Sequence, residues 1–243
     1  MRLEKITCEA YGAFTISAAG PILIKSTDET KLTPETADAT FLRSGTGDGR
    51  DAFVIPGSSI KGVMRHYLET APDIPKLIPV KNMKAFWSDS FGSTDSKIGK
   101  GKISFFDAFA DMDTVETSMR YHTKIDAVSQ GASRKSLNSV QAVIKGDFRC
   151  SYRIRNLTAN ELTVFAKTMA AFDSGELCIG GRVSRGYGMV RIKDFSMILT
   201  NGYDKDLNPC IIRKVDSLNT LLTTLEDLKN MTAKTEVRTS AVY

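Results

Sequence analysis

The stretch from Gly180 to Gly188 runs Gly-Gly-Arg-Val-Ser-Arg-Gly-Tyr-Gly. These residue types suit one chemistry, the holding of an anion. Glycine lets the backbone approach a ligand closely and take positive φ. Arg182 and Arg185 supply planar forks of donors matched to phosphate. Ser184 adds a hydroxyl, and Tyr187 offers a flat face for a base. The stretch is neither a dinucleotide fingerprint nor a P-loop, because no G-x-G-x-x-G opens a helix and no Gly-Lys-Ser/Thr follows. A hairpin turn with two solvated arginines is the competing reading. A second stretch of similar chemistry is Gly57-Ser58-Ser59-Ile60-Lys61-Gly62-Val63-Met64-Arg65. Ser58 or Ser59 can cap a helix here. Helix amide groups then point at whatever sits before the first turn. Lys61 and Arg65, four apart, share one edge of that helix. An ordinary solvated helix edge is the competing reading.

Both stretches need scaffolding. Apolar residues precede and follow the glycine-rich stretch, at Leu177-Cys178-Ile179 and Met189-Val190, so it reads as strand, loop, strand. Phe148, Cys150, Tyr152 and Ile154 alternate with Arg149, Ser151, Arg153 and Arg155, a half-buried strand. Leu157 to Phe172 is an amphipathic helix with Leu162, Phe165, Ala166 and Met169 inward. Ile60, Val63, Met64, Tyr67 and Leu68 give the first helix its apolar face. Residues 3–18 read as a first strand, with Pro21 to Lys25 continuing or pairing with it. Lys102 to Phe109 reads as a strand and Phe86 to Gly92 as a short helix ending at glycine. Residues 120–147 show no clean period, and Val140, Val143 and Ile144 within them suit either a wedge between bases or plain sheet packing. Residues 203–243 read as an irregular return and a helix around Ser217 to Asn230. The order predicts an α+β fold, an RRM/ferredoxin-like core with large insertions. Thr27 to Asp51 is too long for an ordinary connection, so it is functional or mobile.

The 243 residues suffice to bury a core without disulfides. The net charge of +5 is unevenly spread. Residues 120–193 hold 13 Lys/Arg against 5 Asp/Glu, so the rest of the chain is slightly acidic. An anionic partner such as a nucleic-acid backbone suits that field, as would a solvated basic face. Cys8, Cys150, Cys178 and Cys210 are scattered, and His66 and His122 stand at no zinc spacing. Structural zinc is not expected. Without a secretory or membrane-spanning segment in the sequence, a cytoplasmic setting and no membrane partner are expected.

Four motifs in order resemble those of the repeat-associated mysterious protein (RAMP) superfamily. Ile55 to Arg65 resembles its I-P-G-S-S-L-K-G-x-x-R helix start. Phe91-Gly92 resembles the end of its L-F-G, with Ser90 in place of leucine. Ile103 to Ala108 resembles I-x-F-x-D-A, and Gly180 to Gly188 its terminal glycine-rich loop. Within the superfamily the chain is most similar to the backbone subunit of type III CRISPR effector complexes. That resemblance implies a single RRM-like domain over residues 1–243, with a β-hairpin thumb at about 120–147 and a C-terminal extension from about 203. It implies guide CRISPR RNA and complementary target RNA as ligands. Further copies of the chain and other type III effector subunits are the implied protein partners. It places RNA contacts at Ser58, Ser59, Lys61, Arg65, Gly181, Arg182, Ser184 and Arg185, and in the thumb at Arg134 and Lys135. It implies target cleavage by an aspartate of the first long loop, for which Asp38 is the match, acting with Mg or Mn; Asp48 and Asp51 are rivals. The family pattern D-x-P-V is departed from at Thr40 and Phe41. The alternatives are a non-catalytic guide-binding scaffold and a guide-processing endoribonuclease using His66 or His122.

Overall fold

A computed structural model of the chain describes residues 8–26, 37–47, 49–78, 80–93, 100–123, 125–126, 130–133, 136–204 and 208–240, with side chains as far as Thr232. In chain order the elements are β1 (Glu9–Ala18), β2 (Arg43–Gly45), β3 (Asp51–Ile55), α1 (Gly57–Thr70), α2 (Ile74–Leu77) and α3 (Met83–Phe91). There follow β4 (Ile103–Phe105), β5 (Ala108–Ala110), β6 (Glu116–His122), β7 (Asn138–Lys145), β8 (Asp147–Arg155) and α4 (Ala159–Ser174). The chain closes with β9 (Val190–Tyr203), β10 (Pro209–Val215), α5 (Leu218–Thr223) and α6 (Leu225–Ser240).

Four strand positions, in the order β9-β1-β8-β5, form the central antiparallel sheet. With α1 after β1 and α4 after β8, this is the split β-α-β arrangement that the sequence predicts. The edges are longer than expected. β3 and β2 extend the sheet beyond β5, and β10 pairs with β9, so part of the region after residue 203 is strand rather than irregular return. Sequence reasoning missed β10 because Pro209-Cys210-Ile211-Ile212-Arg213 has no period-2 pattern.

The period-2 reading of β8 holds. Phe148, Cys150, Tyr152 and Ile154 are buried under the helices, and Arg149, Arg153 and Arg155 face the other way. Tyr152 lies at the centre, its ring 4.7 Å from that of Phe165 on α4 and 5.9 Å from that of Phe14 on β1. Its hydroxyl donates to the Ser196 carbonyl at 2.9 Å, which satisfies the polar tip of a buried ring. α4 begins with a capping box between Thr158 and Glu161 and ends at Gly175 with φ 84°.

The strand expected over Lys102 to Phe109 breaks into β4 and β5 at Phe106-Asp107, and the break has a purpose. The Asp107 Oδ1 accepts from the Gly57 amide at 2.9 Å, so Asp107 caps α1 from beside the neighbouring strand. No cap comes from Ser58 or Ser59; the helix starts two residues earlier than a Ser58 cap requires and three earlier than a Ser59 cap, after Pro56. A side chain at Gly57 would meet the Phe105 carbonyl oxygen at 2.3 Å, which is why glycine stands there.

The departure from the family pattern at Ser90 also has a structural role. Ser90 is buried and donates to Glu161 Oε1 at 3.2 Å. Glu161, 1% exposed, also receives Lys102 Nζ at 2.9 Å and the Thr158 amide at 3.0 Å. Lys102 reaches Asp89 as well, at 2.7 Å. A leucine at position 90 would remove one donor from a buried carboxylate.

Candidate nucleic-acid interface

Three segments far apart in sequence meet beyond the end of β1. The first is Pro21 to Leu23, the second Ala37 to Leu42, the third the glycine-rich loop, and β7 runs through all of them. Ile22 exchanges both backbone hydrogen bonds with Val143, at 2.8 and 3.1 Å. The Gly181 amide donates to the Leu23 carbonyl at 2.9 Å and that of Gly188 to Pro21 at 2.8 Å. Leu23, Ala39, Val140, Ala142 and Tyr187 form a small separate apolar cluster that seals this junction.

Within the loop, Val183–Arg185 makes one 3₁₀ turn between Arg182 at φ 62° and Gly186 at φ 80°. Left-handed backbone at a non-glycine residue is uncommon and marks a constrained position. Arg182 is held there by a hydrogen bond from Nη2 to the Asn138 Oδ1. Its Nη1 is buried and has no hydrogen-bond partner among the described residues. An arriving anion would satisfy that orphan donor. Gly181, Ser184 and Arg185 are exposed around it. Arg182 and Arg185 line a shallow polar pocket with His122, Thr123, Ser136 and Asn138.

Gly188 sits at φ 91°, and a Cβ there would lie 2.4 Å from the Ile179 carbonyl oxygen. We predict that Gly188→Ala costs more than about 1 kcal/mol in urea unfolding, because both the conformation and the space exclude a side chain. A midpoint unchanged from the parent would contradict this.

Tyr187 does not offer its face to a ligand. It is 1% exposed, packed in the small cluster, with its hydroxyl 2.9 Å from His122 Nε2. Burial is the larger cause, and the charges of Arg182, Arg185 and Arg120 the lesser, that hold the His122 imidazole below its usual pKa. That keeps it neutral near pH 7.

Asp38 lies on the same junction. Its Oδ2 accepts from the Ser139 amide at 2.6 Å and from the Ser139 hydroxyl at 2.9 Å, while its own amide donates to that hydroxyl oxygen at 3.0 Å. Ala39 continues the contact as a parallel bridge to Val140. The Ser139 amide and hydroxyl hold the exposed Asp38 carboxyl below its ordinary pKa, so it stays ionised at neutral pH. Asn138 and Ser139 are therefore adjacent residues with two different charges: one holds Arg182, the other Asp38. Sequence reasoning missed both.

The other sites fall out as follows. β6 and β7 form the expected hairpin, which begins at Glu116 rather than near residue 120. Val140 and Val143 are buried sheet-packing residues, while Tyr121, Ile125 and Leu137 are 64–68% exposed on the hairpin. Arg134, Lys135 and Asp48 lie outside the described residues. Asp51 is paired with Arg43 at 2.6 Å. Arg65 is occupied within the chain, by Glu69 at 2.8 Å and the Gly92 carbonyl at 3.1 Å. His66 is exposed on α1. Ser58 and Lys61 line a groove at the start of α1. That groove and the glycine-rich loop are two separate places on the molecule. In the strand register the loop adjoins Ala18↔Val190, whereas the groove lies beside Arg153 and Arg155, toward Glu9↔Arg155. Among the described residues no group of three or more His, Cys, Asp or Glu could hold a metal, and no helix is long and apolar enough to cross a membrane.

A ferredoxin-like sheet carrying a hairpin insertion and a glycine-arginine loop defines the class of this protein. It belongs to the RAMP superfamily, whose family model matches residues 16–191. Among solved structures its fold is similar to a chain of the Csm3-Csm4 subcomplex of the type III-A CRISPR-Cas interference complex, with a TM-score of 0.55 and 18% identity. That match covers 92% of this chain and 98% of the other. No curated protein sequence matches the chain.

Proposed function

We propose that this protein is a backbone subunit of a type III CRISPR ribonucleoprotein complex, bound in several copies along a guide RNA, that cuts complementary target RNA through Asp38. One observation carries the reading. An ionised, hydrogen-bonded carboxylate and an arginine with an unsatisfied buried donor are held by consecutive residues, Ser139 and Asn138. Superfamily membership and the similar fold supply the context. The exposed apolar residues of the hairpin, Tyr121, Ile125 and Leu137, suit a surface that separates guide and target bases.

The reaction is attack of a ribose 2′-OH on the adjacent phosphate, which forms a 2′,3′-cyclic phosphate and breaks the bond to the 5′-oxygen of the next nucleotide; the 2′ proton passes to solvent and the departing 5′-oxygen takes one up from it. A carboxylate with a lowered pKa is a poor base, so Asp38 is better suited to holding a cation than to taking the proton. Ser139 occupies one of its oxygens, so the other is the atom with which Asp38 would hold a largely hydrated Mg or Mn ion. Such an ion, when bound, would supply charge neutralisation and lower the pKa of the 2′-OH. Arg182 and Arg185 grip the neighbouring backbone.

The grip is tested by binding of single-stranded guide RNA to the full chain over a salt series. Arg185→Ala is expected to flatten the slope of log K against log salt by about 0.7, the increment for one phosphate on a single strand. A slope equal to the parent's would remove Arg185 from the interface. Neutral His122 in the arginine pocket favours, as a second reading, guide processing by general acid–base catalysis. Cleavage of repeat RNA by the purified chain, lost in His122→Ala, would establish it.

A further inference from the structure

The groove beside the first turn of α1 is a separate cationic site with a volume of about 260 Å³. Lys61, Lys100, Arg153 and Arg155 converge on it, and Phe106 forms one wall. Its acidic neighbours are few. Glu9 lies 3.2 Å from Arg153 and 3.8 Å from Arg155, and Asp107 is occupied by the Gly57 amide. No carboxylate stands within ion-pair distance of Lys61 or Lys100 among the described residues. Burial first, then the charges of Lys100 and Arg65, hold the Lys61 ammonium below its usual pKa. Among the described residues the cluster is thus short of negative charge.

Phe106 is the second observation. It is 56% exposed, the most exposed phenylalanine among the described residues. Its backbone is held in place, because its amide donates to the Ser151 carbonyl at 2.9 Å and the next residue caps α1. An exposed aromatic ring beside two lysines that have no carboxylate partner among the described residues is the pairing that single-stranded nucleic acid asks of a protein: charge for the backbone, a flat face for the base.

We propose that this groove is a nucleotide subsite in which Lys61 and Lys100 hold a phosphodiester and Phe106 stacks on the adjoining base. The proposal rests on the RNA-binding reading above and adds Lys100 and Phe106 to it.

The test is fluorescence anisotropy of oligouridine with the full chain and its variants, each checked for folding by thermal unfolding. Phe106→Ala is expected to weaken binding about tenfold, within the range for one stacked base, with the salt slope unchanged. Phe106→Trp is expected to restore it. Lys100→Ala is expected to flatten the salt slope by about 0.7. Parent-like binding by Phe106→Ala, or a parent-like slope in Lys100→Ala, overturns the subsite while the RNA-binding reading stands. If Phe106→Ala reduces association between copies and not RNA affinity, the ring is a protein contact and the subsite is overturned. No binding by the parent chain overturns the RNA-binding reading itself.

Discussion

D38N is expected to abolish cleavage of complementary RNA by the assembled complex while guide and target binding stay at parental levels. Asparagine keeps an oxygen that accepts from the Ser139 amide, so the junction between Ala37 to Leu42 and β7 survives. Only the charge is lost. A loss of on the order of a hundredfold or more is expected, in the range for removing a positioned catalytic group. The pH dependence provides a second readout. The active form is the ionised carboxylate, and its pKa is lowered by the Ser139 contacts. Cleavage therefore persists as pH falls, until the pH passes that lowered value. Ser139→Ala keeps the backbone amide, the larger cause, and removes only the hydroxyl, so the Asp38 pKa rises part of the way and activity is lost at a somewhat higher pH. Single-turnover cleavage of labelled target across a pH series measures both effects. Cleavage by D38N at the parental rate would leave the chain a guide-binding scaffold.

Lys102→Ala is expected to destabilise the fold by about 3–5 kcal/mol, the cost of stripping the partner from a buried charge. Glu161 is 1% exposed and sits at the start of α4, where Ser90, Thr158 and Lys102 converge on it. Desolvation alone would lower the Lys102 pKa, but the Glu161 charge and its hydrogen bonds with Glu161 and Asp89 raise it overall. A raised lysine pKa contributes stability in full below its unfolded value, and the contribution fades only as pH rises through the folded value. The loss should thus appear undiminished at neutral pH. For a chain of this size it corresponds to a fall of roughly 10 °C in melting temperature. Adding Glu161→Gln should recover part of it, since no buried charge is then left unpaired. A loss below about 1 kcal/mol in Lys102→Ala would mean that Ser90 and Thr158 satisfy the carboxylate by themselves.

Much of the scaffold was legible because it is written in local periods. The alternation from Phe148 to Arg155, the apolar face of Ile60, Met64 and Leu68, and the glycine closing α3 each depend on neighbours a few residues away. β10 was illegible because its residues lack alternation, and the β4–β5 break because its cause, the Asp107 cap on Gly57, lies 50 residues off. Tyr187 misled for a related reason. An aromatic ring in a glycine loop has the composition of a stacking platform, but its direction is set by the cluster it packs into.

The sequence by itself determined which groups this protein has for anion chemistry: two arginines in a glycine-rich loop, cations at a helix start, and a long polar loop rich in Thr, Asp and Gly. Tertiary structure decided how they combine. It placed the helix groove and the glycine-rich loop at opposite ends of the central strands, so that they are two sites. It also brought Asp38 to Ser139, 101 residues away, beside the asparagine that holds Arg182. Hydrogen bonds between segments so far apart leave no periodic trace in a chain. They exist only once the sheet has set the register of β7 against the loop that crosses it.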